Sequence, residues 1–109
     1  MSPVVDDDEI AREIVRQCLA RGPWKSICPS EVARALADEE PDWRGLMPDV
    51  RRVADVLCAE GRISVMQRGE PVTAVTTKGP IRLSLGVDRK AVRRALRHVG
   101  PRQPAGTRS

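Results

Sequence analysis

The first part of the chain repeats apolar residues with the period of an α-helix. Between residues 6 and 21 they recur every three or four positions, which predicts an amphipathic helix. The acidic residues at its start suit the positive end of a helix dipole, and Gly22-Pro23 is typical of a helix end. The short stretch at residues 25–28 then predicts a brief strand.

Two further helices are predicted before the pattern changes. Pro29 suits the first position of a helix over residues 29–37, and Pro48 suits the start of a third helix that Gly61 ends. The third helix has the clearest apolar stripe in the chain: Met47, Val50, Val53, Ala54, Leu57 and Cys58. We expect its opposite, exposed face to carry Asp49, Arg51, Arg52, Asp55 and Glu60.

After the third helix the apolar period becomes two, as in β-strands. Residues 62–67 and 81–85 alternate apolar and polar side chains, and turn-forming residues lie between them at 68–71 and 78–80. The pattern predicts a hairpin with a long connection. Its inward-facing residues are Ile63, Val65, Ile81, Leu83 and Leu85.

A last amphipathic segment is predicted over residues 88–98, where Val92 and Leu96 mark the apolar face. Its outer face is cationic and consists of Arg89, Lys90, Arg93, Arg94 and Arg97. This stripe is interpreted as an arm that follows phosphates. Alternatively, it packs against the acidic residues 6–9 or 38–40. Residues 1–5 and 99–109 are predicted to be flexible termini.

This order of elements predicts one α+β, mostly α domain over residues 6–98. The expected architecture is a winged helix-turn-helix, with a three-helix core, a β-hairpin wing and an extra C-terminal helix. The composition, 40% hydrophobic and 31% charged, is that of a globular domain. With two Trp and neither Phe nor Tyr, the chain lacks the row of aromatic rings on which single-stranded bases stack.

Several short motifs resemble a known family. They are RGP at 21–23, ICPSEVAR at 27–34, DWR at 42–44, LMP at 46–48 and VR at 50–51, followed by Gly69, Pro71-Val72 and GPIRL at 79–83. Together they resemble the bacterial domain-of-unknown-function family numbered 3253, over roughly residues 10–85. The resemblance implies a winged-helix-like fold in a bacterial protein. It implies no activity, substrate or site.

Charge is distributed unevenly along the chain. Residues 1–50 hold 6 basic and 11 acidic side chains, whereas residues 51–109 hold 13 basic and 4 acidic ones. Such asymmetry is typical of proteins with an anionic partner, although the two halves could also neutralise each other within one folded surface.

The basic residues predict nucleic-acid binding, to duplex DNA more than to RNA. Arg51 is the better candidate to read a base and Arg82 to contact a phosphate. The full set of candidate contacts is Arg44, Arg51, Arg52, Arg62, Arg68, Lys78, Arg82, Arg89, Lys90, Arg93, Arg94 and Arg97. Alternatively, Asp49 with Arg52 and Arg51 with Asp55 form helix-surface salt bridges, and the same surfaces bind proteins, including a second copy.

No enzyme motif is present, so we predict no catalytic residue and no cofactor. The chain lacks a Walker loop, an HExxH motif and a GxSxG motif. With a single histidine, His98, and no CxxC spacing, it offers no zinc site made of His and Cys alone. The acidic start and the absence of a long apolar run predict a cytoplasmic protein without a membrane partner.

Three cysteines and two tryptophans are interpreted as structural. Cys18 and Cys58 fall on apolar helix faces and are expected in the core. Cys28 is interpreted as a capping or packing residue, with a reactive thiol at the helix start as the alternative. Trp24 and Trp43 are expected in connections beside helix boundaries, covering the edge of the core.

Overall fold

The computed structural model describes residues 5–22, 25–37 and 42–85. Within them the fold is α+β and mostly helical, with three helices and one small antiparallel sheet. The elements are α1 (Asp7–Arg21), β1 (Ser26–Ile27), α2 (Pro29–Leu36), α3 (Asp42–Ala59), β2 (Ser64–Gln67), β3 (Glu70–Pro71) and β4 (Arg82–Ser84). Trp24, residues 88–98 and the two predicted termini lie outside the described residues. Val5 is the one residue of the predicted termini that is described.

Helix α1 begins and ends as its sequence predicts. The Asp6 carboxylate accepts a hydrogen bond from the backbone N–H of Glu9 at 2.8 Å, which satisfies one of the free donors of the first turn. Gly22, with φ of 94°, ends the helix in a conformation that favours glycine. The buried side of α1 consists of Ile10, Ala11, Ile14 and Cys18.

Helix α2 starts at Pro29, which confirms the predicted first position. The Glu31 carboxylate accepts from the backbone N–H of Cys28 at 2.7 Å and pairs with Arg21 at 2.7 Å. These contacts fix the chain direction between β1 and α2. Val32 and Ala33 then point into the core.

Helix α3 begins at Asp42 rather than at Pro48, so the predicted start was wrong. Trp43, expected in a connection, lies in the first turn and is buried, with 7% of its surface exposed. The guanidinium carbons of Arg34 and Arg44 lie 4.5 and 4.6 Å from the centre of its ring. Burial of this ring is strongly favourable and offsets the loss of the helical hydrogen bond that Pro48 cannot donate.

The sheet has the strand order β1-β4-β2-β3, and each neighbouring pair is antiparallel. Val65 pairs with Leu83, which confirms the predicted hairpin, and β1 joins the free edge of β4. The residues predicted as a turn at 68–71 also form β3. Arg68 and Gly69 have φ of 52° and 80°, the signs of a two-residue type I′ turn that folds the chain back along β2.

The helices and the sheet enclose one apolar core. Its largest fully buried hydrophobic side chains are Ile10, Ile14, Ile27, Val32, Val50, Val53, Leu57, Ile63, Val65, Ile81 and Leu83. Cys18 and Cys58 are buried there as predicted. Burial raises the pKa of the Cys18 thiol to about 11, because the thiolate loses its hydration in the core.

Asp55 lies in the interior, although the sequence pattern placed it on the exposed face of the third helix. Its carboxylate is fully buried and accepts hydrogen bonds from the backbone N–H groups of Ala74, at 2.7 Å, and Val75, at 3.0 Å. The expectation was wrong because the chain between β3 and β4 folds over this part of α3. Helical periodicity alone gives no sign of that cover.

Replacement of Asp55 is expected to destabilise the protein strongly. Asp55→Ala leaves two backbone donors without their acceptor, which should lower the free energy of unfolding by about 2–4 kcal/mol. Asp49→Ala is the matched control, because its half-exposed ion pair with Arg52 is worth less than about 1 kcal/mol. Urea unfolding measures both variants. Equal losses would contradict the structural role of Asp55.

The three thiols are expected to react at different rates. Cys28 is partly exposed and should react first with a thiol reagent at pH 8, whereas Cys18 and Cys58 react only after unfolding. With its pKa near 11, only about one Cys18 thiol in a thousand is ionised at that pH. A Cys28→Ser variant should show no thiol reaction before the protein unfolds. Two thiols reacting in the native protein would contradict the buried core positions.

Candidate nucleic-acid interface

Arg51 holds the connecting segment, residues 68–80, against α3. Its guanidinium donates to three backbone carbonyls: Ala74 at 2.9 Å, Thr77 at 2.9 Å and Gly79 at 2.8 Å. Asp55, one helical turn later on the same side of α3, accepts from the amides of the same segment. A cation therefore binds carbonyl groups and an anion binds amide groups of one stretch of backbone.

These contacts change the interpretation of Arg51. It is only partly exposed, and its guanidinium is directed at backbone oxygens of its own chain rather than at solvent. A side chain bound in this way does not reach a base edge without releasing the segment. Arg51 is therefore a positioning residue.

Gln67 attaches the other side of the connecting segment. Its side-chain amide donates to the carbonyls of Lys78, at 2.9 Å, and Pro80, at 3.1 Å. Gly79 between them has a φ of 90°, which a larger residue adopts only with strain. Because Gln67 directly precedes Arg68, this contact brings Arg68 and Lys78 to the same edge of the molecule.

Arg68 and Lys78 are exposed, and neither forms an ion pair with another described residue. Arg44 is also exposed and lies two helical turns before Arg51, on the same side of α3. We call Arg68 and Lys78 the cationic surface. The connecting segment contains one acidic residue, Glu70, so its own net charge is positive.

Arg52 binds two carboxylates rather than the connecting segment. It binds the Asp7 carboxylate through two hydrogen bonds, of 2.8 and 2.7 Å, and also contacts Asp49 at 3.3 Å. The hydrogen bonds to Asp7, and then those to Asp49, raise the pKa of Arg52 above its already high ordinary value. The predicted Asp49–Arg52 salt bridge is therefore present, and it extends to the start of α1.

The other described candidates also contact their own chain. Arg62 lies 3.8 Å from Glu60, and Arg82 donates to the hydroxyl and carbonyl oxygens of Ser26 at 2.8 and 3.0 Å. Arg82 thereby ties β4 to β1. The remaining candidates, Arg89, Lys90, Arg93, Arg94 and Arg97, lie outside the described residues.

The sequence analysis did not select two residues that hold neighbouring parts of the fold. Arg34 is exposed, and its guanidinium, like that of Arg44, lies against the Trp43 ring. Gln67 positions Lys78. The sequence carries no signal for either contact.

Residues 5–22, 25–37 and 42–85 contain no group of three or more His, Cys, Asp or Glu side chains that could hold a metal ion. No helix among them is long and apolar enough to cross a membrane.

Loss of the three Arg51 contacts is expected to release the connecting segment. In Arg51→Lys a single ammonium replaces the planar guanidinium and cannot reach three carbonyls at once. Hydrogen exchange of residues 72–79 should accelerate about tenfold or more, since a lost charge-assisted hydrogen bond is worth at least about 1.4 kcal/mol. Arg52→Lys, on the next position, should leave this exchange unchanged. Equal acceleration in both variants would exclude a specific role for Arg51.

This chain matches a protein family but no individual curated protein at a significant level. A family model described as "Protein of unknown function (DUF3253)" matches residues 7–86, which include every described helix and strand and the cationic surface. Because this match covers most of the 109 residues, the chain belongs to the DUF3253 family.

Proposed function

We propose that the chain is a winged-helix domain that binds duplex nucleic acid, DNA in preference to RNA. The element order supports this fold. Strand β1, between α1 and α2, pairs with β4, and β4 pairs with β2 around the connecting segment. In a winged helix α2 and α3 form the helix-turn-helix pair and the connecting segment forms the wing.

The observation that carries the proposal is the positioning of Arg68 and Lys78. Arg51, Asp55 and Gln67 bind the backbone of the segment that presents these two cations. Cations held in place before binding lose less conformational entropy on contact with phosphates. Lysine and arginine contacts to phosphates supply most of the non-specific affinity for DNA.

The contacts of α3 support phosphate contacts over base contacts. Arg51, the candidate for a base contact, and its neighbour Arg52 are both bound by their own chain. The other exposed residues of α3 are Asp42, Gly45, Pro48 and Arg44, whose guanidinium lies on the Trp43 ring. We therefore propose that binding depends mainly on phosphates and discriminates weakly between sequences. The major groove of B-form DNA admits a helix, whereas that of A-form RNA does not, which favours DNA.

A protein-interaction role is the second candidate. Leu19 on α1 is 64% exposed and lies beside Val15 and Leu36 in an open groove. An apolar surface of this kind favours a protein ligand over a nucleic acid.

The salt dependence of binding tests the proposed function. The intact chain should bind random duplex DNA with an affinity that falls as salt rises, and Arg68→Ala should flatten the slope of log affinity against log salt by about 0.9. The loss should be similar for all sequences, because a phosphate contact carries no sequence information.

Lys25→Ala is the matched control for this experiment. Lys25 is exposed and precedes β1, at the opposite edge of the sheet from Arg68. Its replacement should leave the slope unchanged. If the intact chain shows no salt-dependent binding to any duplex at low ionic strength, the nucleic-acid proposal fails and the protein-interaction role replaces it.

A further inference from the structure

The connecting segment presents one apolar side chain to solvent. Val75 is 49% exposed, whereas Thr73 and Ala74 just before it are buried. A single exposed valine is common on protein surfaces and by itself indicates nothing. Val75 differs from such residues in two respects, because the backbone around it is fixed and because a cation follows it closely in the chain.

The turn around Val75 is fixed by side chains and by its own backbone. The amide of Val75 donates to the buried Asp55 carboxylate at 3.0 Å. The Thr73 carbonyl accepts from the amides of residues 76 and 77, at 3.3 and 3.1 Å. The guanidinium of Arg51 binds two carbonyl oxygens of the same turn, each at 2.9 Å. The backbone that carries the Val75 side chain is therefore ordered before any ligand binds, so a contact at this position costs little conformational entropy.

Lys78 is the cation that follows this turn. It is exposed and lies three residues after Val75, so the Cα atoms of the two residues are at most about 11 Å apart. Gln67 binds the Lys78 carbonyl at 2.9 Å and fixes this residue as well. In a nucleic-acid strand every phosphate is joined to a sugar. A fixed apolar side chain near a cation can therefore contact a sugar while the cation contacts a phosphate.

DNA and RNA differ at this sugar. The 2′ carbon carries only hydrogen atoms in DNA, whereas in RNA it carries a hydroxyl that is displayed in the minor groove. A hydroxyl pressed against the methyl groups of valine loses its hydrogen bonds to water and gains no partner, which is unfavourable. A valine at the sugar therefore favours DNA, whereas a lysine at the phosphate binds both nucleic acids.

We propose that Val75 contacts a deoxyribose of the bound duplex and is a residue through which the chain distinguishes DNA from RNA. Lys78 contacts a phosphate beside that sugar. This inference rests on the proposed function, because it requires a bound duplex, and it assigns the preference for DNA to one side chain.

The affinities for a DNA duplex and for an RNA duplex of the same sequence, measured at one salt concentration, test this contact. Val75→Thr keeps a β-branched side chain and replaces one methyl group by a hydroxyl. The hydroxyl can bond to a 2′-OH and weakens the apolar contact with deoxyribose, so the ratio of DNA affinity to RNA affinity should fall about three- to tenfold. Since groove shape also separates the two duplexes, the measured quantity is the change in this ratio between parent and variant.

Two further variants separate the sugar contact from other effects. Val15→Thr is the matched control, because Val15 is partly buried on α1, outside the connecting segment, and this variant should leave the ratio unchanged. Lys78→Ala should weaken both duplexes to a similar extent, since both carry phosphates. The slope of log affinity against log salt should fall in Lys78→Ala and stay unchanged in Val75→Thr, which removes no charge. Thermal unfolding reports whether each variant is folded.

The outcomes for this contact and for the proposed function are distinguishable. If the parent binds duplexes with the expected salt dependence and Val75→Thr leaves the ratio unchanged, the sugar contact is wrong and the proposed function stands. An equal fall of the ratio in Val15→Thr would also overturn the assignment to Val75. If the parent shows no salt-dependent binding to either duplex, the proposed function fails, and the sugar contact fails with it.

Discussion

The contacts of Arg51 and Asp55 with the connecting segment are the interaction on which the rest of the candidate site depends. Much of residues 68–80 has no regular ladder of backbone hydrogen bonds, and its polar groups need other partners where water is excluded. Two oppositely charged side chains, one turn apart on α3, supply acceptors and donors for this backbone. The position of the segment is thereby set by side chains of α3 on one side and by Gln67 of β2 on the other.

This arrangement separates two uses of charge that look alike in the sequence. Arg51, Arg52 and Arg82 bind backbone, carboxylate or hydroxyl groups of their own chain and hold elements together. Arg68 and Lys78 are exposed at the edge that these contacts define. The first group explains why the fold needs arginines, since one guanidinium binds several acceptors at once. The second group, Arg68 and Lys78, is exposed and can contact a ligand.

The sequence predicts most of the elements because local patterns determine them. The N-cap Asp6, Pro29 at the start of α2 and the alternation of Ile63 and Val65 each act within a few residues. The start of α3 and the burial of Asp55 were predicted wrongly because distant residues decide them. Trp43 packs beside Arg34 of α2, and Asp55 is covered by amides 19 and 20 residues later.

The same limit applies to the candidate site. Sequence identifies which residues are cationic but not which of them find partners within the chain. The sequence pattern assigned Arg51 to the exposed side of α3, where it would contact a ligand, whereas the folded segment makes it a structural residue. Of the seven described candidates, Arg68 and Lys78 are brought to one edge by the Gln67 contact. Tertiary packing of the connecting segment over α3 decides which arginines are bound within the chain.

The distribution of charge sets a condition on any duplex that uses the whole chain. Residues 86–109 hold seven basic and one acidic side chain, while the whole chain has a net charge of +4, so residues 1–85 carry −2. Under the proposed function, attraction to DNA would therefore come from local groups of cations rather than from the net charge of residues 1–85. Arg62 lies two residues before β2 and Arg68 directly after it, so six residues at the rise of an extended strand place them at most about 20 Å apart. With one base pair per 3.4 Å, a duplex that contacted both at once would cover no more than about six base pairs between them.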